Sequence, residues 1–154
     1  NGIKVVNKID VKNNGTLNID NNASIVQVDN VENSGNVNIR RTTKPMYRYD
    51  FTYWNSPVTL ASGYTLAMLS PNTLGDKYMK WQPTINGGYG NWVSVNATTT
   101  AMDPRMGYIV RAPQSYDLNP ANKTPYTATF VGTPNNGDIT ANRYATFWPD
   151  TAHK

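Results

Sequence analysis

The chain has 154 residues, no cysteine, one histidine (His153) and one glutamate (Glu32), and its 14 Lys and Arg against 10 acidic residues give a formal charge of +4. Only 16% of residues are charged, against roughly 25% in ordinary soluble domains, and polarity comes instead from 21 Asn, 18 Thr and 7 Ser. Cys/His metal sites lack ligands, thiol chemistry lacks its nucleophile, a Ser-His-Asp triad would depend on the penultimate His153, and no apolar run reaches the roughly 18 residues of a membrane span.

The chain opens at Asn1 without a charged segment and apolar core, so it reads as a mature or trimmed piece of something larger. Residues 1–44 form the first unit. They hold 11 of the Asn and no aromatic residue or proline. Their apolar residues are Ile, Val and Leu in short runs with period-2 alternation: Ile9 and Val11, Leu17 and Ile19, Val26 and Val28, Val37 and Ile39. Between them stand the turn clusters Asn13-Asn14-Gly15, Asp20-Asn21-Asn22, Asp29-Asn30 and Asn33-Ser34-Gly35. Gly15-Thr16-Leu17-Asn18-Ile19 returns as Gly35-Asn36-Val37-Asn38-Ile39, 20 residues later. Such a period, with short strands and Asn-rich corners, predicts a β-solenoid. Two ordinary hairpins of a sandwich are the competing reading. Two rungs alone bury too little surface to stand, so they either end a longer solenoid or pack on the downstream domain.

Residues 45–154 form the second unit, which carries all 17 aromatic residues and all 10 prolines. Strands are predicted at Asp50–Trp54, Tyr64–Leu69, Lys77–Gln82, Asn91–Val95, Gly107–Ala112, Tyr126–Gly132 and Arg143–Trp148. Leu66–Leu69 has the makings of a helical turn that Pro71 would stop. Short strands punctuated by Pro and Gly point to an antiparallel β-sandwich, and the fold class is all-β.

The order of four motifs carries a resemblance. Gly15-Thr16-Leu17-Asn18-Ile19 leads to Tyr53-Trp54-Asn55-Ser56-Pro57-Val58, then Met106-Gly107-Tyr108-Ile109-Val110-Arg111, then Thr129-Phe130-Val131-Gly132-Thr133-Pro134-Asn135-Asn136-Gly137. This resembles a β-solenoid plus β-sandwich module of large secreted and cell-surface proteins of Bacteroidetes, substrates of type IX secretion that include adhesins and surface filaments. The resemblance covers residues 15–137. It implies an extracellular, adhesin-like or filament-forming part and places Trp54 inward. The segment after the hairpin departs from that pattern, and no C-terminal sorting domain is visible. Asp150-Thr151-Ala152 looks like the O-glycosylation signal of such exported proteins, which makes Thr151 a modification candidate.

Candidate sites are few. Most acids sit beside Asn, Gly or Pro, as in Asp29-Asn30, Asp103-Pro104 and Gly137-Asp138, where turn chemistry explains them. No catalytic residue and no cofactor is assigned. A structural calcium is the one ion the residues offer oxygens for, on Asp20-Asn21-Asn22 and on Asp10 with Asn13-Asn14-Gly15, in a spacing that matches no EF-hand loop. Trp81 and Trp92 flank the Gly-rich stretch Asn86-Gly87-Gly88-Tyr89-Gly90-Asn91, so Trp81, Tyr89, Asn91 and Trp92 are the ligand-contact candidates, with surface glycans as the ligand. A cross-strand Trp pair closing a hairpin is the plainer reading of the same residues. The basic residues Arg40, Arg41, Lys44 and Arg48 read as a solvated linker rather than a nucleic-acid patch. The expectation is a non-enzymatic extracellular structural or adhesive module whose partners are other subunits or the remainder of a longer chain. The alternative is a carbohydrate-binding module of a secreted polysaccharide-acting protein.

Overall fold

The structure, a computed structural model, describes residues 2–13 and 15–141. The expected strand Arg143–Trp148 and the modification candidate Thr151 lie outside the described residues. The fold is all-β: among the described residues, strands form three sheets, with one short helix.

The N-terminal strands are β1 (Gly2–Val5), β2 (Leu17–Ile19), β3 (Ser24–Gln27) and β4 (Val37–Thr42). β1 pairs parallel with β3, with Ile3 opposite Ile25. β2 pairs parallel with β4, with Leu17 opposite Val37, and a parallel bridge joins Asp10 to Ser34. Residues 2–22 therefore make one circuit that lies on a second circuit, residues 24–42. The offsets between partners are 22 (Gly2 to Ser24), 24 (Asp10 to Ser34) and 20 residues (Leu17 to Val37). A hairpin would have made these pairs antiparallel.

The corners explain the Asn-rich composition. Asn38 Nδ2 donates to Asn18 Oδ1 at 2.9 Å, and Asn21 Oδ1 accepts the Thr42 backbone N–H at 2.8 Å. Asn33 ties three segments: its Oδ1 accepts from Ile9 N–H and from Gln27 Nε2, each at 2.8 Å, and its Nδ2 donates to Gln27 Oε1 at 2.8 Å and to Pro134 O at 2.9 Å. Gly35 has φ +76°, and a Cβ there would stand 2.0 Å from Val11 O, so the corner closes only with glycine.

The later strands are β5 (Phe51–Trp54), β6 (Val58–Leu60), β7 (Tyr78–Gln82), β8 (Asn91–Ser94), β9 (Tyr108–Arg111) and β10 (Thr127–Pro134). One sheet has the order β2-β4-β10-β6 and another β5-β9-β7-β8. β10 runs antiparallel to β4, with Phe130 opposite Ile39, so its ladder crosses the boundary drawn at residue 44. Alternation along β10 buries Ala128 and Phe130 and leaves Thr127 exposed and Thr129 half-buried. Phe130 meets Trp54 from the other sheet edge-on at 5.8 Å. One apolar cluster then joins Ile19, Val37 and Ile39 of the circuits to Tyr78, Tyr108 and Val110 of the second sheet. The large aromatic rings supply area that a Leu-poor chain would otherwise lack.

Three expectations need correction. Within Tyr64–Leu69 the chain forms a helical turn, α1 (Leu66–Leu69), not a strand. Leu66 and Leu69, three residues apart, share one face and are both buried, and Pro71 follows. β6, which the sequence pattern does not signal, is only three residues long and is held by β10, with Thr59 opposite Thr133. Arg40 and Arg41 belong to β4 rather than to a linker, and Arg40 pairs with Asp20 at 3.0 Å across the two circuits.

Candidate functional site

Two features of the fold face outward with chemistry on them: an aromatic sheet face and an open strand edge. The aromatic face belongs to the β5-β9-β7-β8 sheet. Trp54, Tyr78, Tyr108 and Val110 point into the core, so alternation sends Phe51, Tyr53, Met79, Trp81, Trp92, Ile109 and Arg111 to the other side. Trp81 and Trp92 are register partners on β7 and β8, with ring centroids 5.3 Å apart and planes at 71°. Tyr53 reaches over from β5, and its ring lies 6.0 Å from that of Trp92. Ile109, the register partner of both Tyr53 and Met79, is only 8% exposed on this outward side, whereas Tyr53 is 76% and Trp81 41% exposed.

The Gly-rich stretch builds the Trp81 position. A short 3₁₀ turn at Asn86–Gly88 leads to Gly90, whose φ is +74°. A Cβ on Gly90 would stand 2.5 Å from the Trp81 ring, so the indole rests against the turn's backbone. Tyr89 is exposed in that turn. Of the four residues singled out in the sequence, Trp81 and Trp92 are thus in contact. Asn91 falls on the opposite face by alternation, and its Oδ1 accepts the Trp92 N–H at 2.8 Å. Tyr53 was missed, although the signal was present: an inward Trp54 forces its neighbour outward.

Three cations of the second unit are held by partners within the chain. Arg105 forks onto Asp103 with two bonds of 2.8 Å, and that contact holds the Asp103 carboxyl below its ordinary range. Lys77 pairs with Asp76 and likewise lowers its carboxyl. Arg111 is buried, with its guanidinium 5.7 Å from the Tyr49 ring centroid and Nη2 donating to Gln114 Oε1 at 2.7 Å, while its Nε has no partner among the described residues.

No group of three His, Asp or Glu side chains gathers among the described residues. Of the oxygens proposed for calcium, Asp20 Oδ1 bonds Arg40, Asn21 Oδ1 accepts the Thr42 N–H, and Asp10 Oδ1 accepts the Ser34 hydroxyl. Glu32 and Asp138 line a groove of about 510 Å³ together with Asn33, Thr59, Arg105 and Asn135.

The open edge lies at the first circuit. β1 and β2 are both terminal strands of their sheets. Burial rises from first circuit to second in two columns, where Ile3 is 58% exposed above a half-buried Ile25 and half-buried Leu17 stands above Val37 at 1%, whereas Ile19 and Ile39 are both 5% exposed. Gly2, Ile3, Leu17, Ile19 and Ile25 line a small hollow of about 120 Å³ there. The second circuit is covered in part: β3, like β1, has no further strand partner among the described residues, whereas β4 and the turn after β3 are covered. β10 pairs with β4, Asn33 binds Pro134 O, and Asn136 Nδ2 donates to Asp29 O and Val31 O at 2.9 and 2.8 Å.

The chain matches, over residues 1–147, the family described as a domain of unknown function, DUF8693. It belongs to this family. The family match spans both the stacked circuits and the two larger sheets. No curated protein and no solved structure matches the chain.

Proposed function

We propose that the chain is a non-enzymatic structural and adhesive module of an extracellular bacterial assembly, built as the closed end of a β-solenoid with a β-sandwich as its cap. The one-sidedness of the stack carries this reading. Circuits joined in parallel register leave both strands of the first, β1 and β2, open, while in the second β10 covers β4 and the Pro134–Asn136 segment covers the turn after β3. An open edge is a template for a further strand, and natural proteins that do not use such an edge blunt it with charge or proline. β2 (Leu17-Asn18-Ile19) carries neither, and β1 carries only Lys4. A further circuit with the same apolar-Asn-apolar pattern would extend the Asn18–Asn38 amide column and cover Ile3. That circuit comes from the remainder of a longer chain or from another subunit. The Asn- and Thr-rich, cysteine-free, charge-poor composition and the resemblance to Bacteroidetes surface modules support the extracellular placement.

The test is a chain extended before Gly2 by one 20-residue circuit copying residues 15–34. The extended chain is expected to unfold at higher urea than the original, with Asn18→Lys cancelling the gain. An extension that leaves the midpoint unchanged and is freely digested by protease refutes the stacking role. For placement, protease added to intact producing cells is expected to cleave the protein, and full protection there refutes the extracellular reading.

A further inference from the structure

We infer that the outward face of the β5-β9-β7-β8 sheet is a binding platform for a neutral polysaccharide, with Tyr53, Trp81 and Trp92 as the stacking rings. This is independent of strand stacking at β1 and β2, which involves other residues.

The first support is the rigidity of the rings. Trp92 touches both Trp81, at 5.3 Å, and Tyr53, at 6.0 Å, so three side chains from three strands hold one another in place. Gly90 fixes Trp81 from beneath, because any side chain at 90 would collide with the indole. Rings held this way lose little conformational freedom when a ligand arrives. They are nevertheless not buried: Tyr53 is 76% exposed, and the indole of Trp81, against a full strand and a glycine turn, keeps 41%. A soluble surface seldom leaves contiguous large rings in water without a use for them.

The second support is size. At about 150–250 Å² per aromatic side chain, the exposed parts of the three rings sum to roughly 300 Å². A stable protein interface needs about 800 Å² from each partner. The ring row is too small for that and matches two or three sugar units laid side by side. The C–H faces of pyranose rings are apolar and flat, which suits an indole or phenol ring, while the hydroxyls at their edges stay in water.

The third support is charge. The outward residues Phe51, Tyr53, Met79, Trp81, Trp92, Ser94 and Ile109 carry no charge, and the one ion among them, Arg111, is buried and turned to Tyr49 and Gln114. A platform for an acidic polymer would hold unpaired cations at its rim. The outward side of these four strands exposes none. The occupant is therefore a chain of uncharged sugars.

The test is affinity electrophoresis of the full chain in native gels cast with glucan, mannan, xylan or galactan, with polygalacturonate and heparin as acidic counterparts. At least one neutral polymer is expected to retard the chain. Tyr53→Ala and Trp81→Ala are each expected to weaken that retardation at least tenfold. Both variants must retain the original thermal midpoint within a few degrees. Should Trp81→Ala fold poorly, Tyr53→Ala alone decides, since its ring is mostly in solvent. Retardation by none of the neutral polymers, by the acidic ones alone, or equally for both variants overturns the inference. So does a self-association, seen by sedimentation, that Tyr53→Ala abolishes while no polymer binds, because the face would then be a protein contact.

Discussion

Asn33→Ala probes how the two circuits are bound to the cap. The Asn33 side chain is half-buried and makes four hydrogen bonds: with Ile9 N–H in the first circuit, twice with Gln27 in the second, and with Pro134 O at the end of β10. A typical intramolecular hydrogen bond contributes about 1 kcal/mol net, and a buried partner left unsatisfied costs about 1–3 kcal/mol. The truncation leaves two backbone groups, Ile9 N–H and Pro134 O, without this partner, and partial exposure lets water soften both losses. The sum is a destabilisation of about 2–4 kcal/mol. Urea unfolding followed by intrinsic fluorescence measures it, with the slope expected to stay unchanged and the midpoint to fall. Gln27→Ala in the same background should add little, because the two amides bond to each other. An Asn33→Ala loss below about 0.5 kcal/mol, the range of ordinary surface substitutions, would refute the idea that this residue clamps circuits to cap.

Other perturbations test other joints. Gly90→Ala forces an L-residue into φ +74° and drives a methyl group into the Trp81 ring, so it should cost about 1–3 kcal/mol and shift the tryptophan emission. Unchanged emission and stability would show that Trp81 does not rest on this turn. The Tyr64 hydroxyl donates to Thr129 O at 2.6 Å, and burial pushes its pKa up to about 12 from the ordinary value of 10.0. Because the folded value is the higher one, its contribution is fully present below pH 10 and is lost as pH rises toward 12. Urea midpoints taken from pH 8 to 12 should therefore hold level to about 10 and then fall, less steeply in Tyr64→Phe.

Much of this was legible in the sequence, and what was not has physical reasons. The return of Leu17-Asn18-Ile19 as Val37-Asn38-Ile39 signals like residues set side by side, and β2 pairs parallel with β4 with Asn38 bonded to Asn18. Trp54 was placed inward and is buried in the core. The Trp81–Trp92 contact followed from a hairpin closing around a Gly-rich turn. Tyr53 lies 28 residues from Trp81, so its place beside Trp92 depends on strand order, which local pattern does not carry. Asn91 shows the opposite lesson: its neighbours in sequence are on the site, but the period of two puts it on the other face. The helical turn at Leu66–Leu69 was ambiguous because a short apolar run fits either state, and tertiary hydrogen bonds from Leu66 N and Ala67 N to Thr100 O and Ala97 O decide it.

The central claim is that the first circuit is open along β1 and β2, while β4 of the second is covered by β10. Amide hydrogen exchange of the full chain, resolved by residue, tests it most directly. The outward amides of β1 and β2 should exchange within the fastest class of strand amides, while those of β4 and β10 exchange at rates set by global unfolding. Equal protection of β1, β2 and β4 would contradict the account, because it would mean the first circuit is already covered.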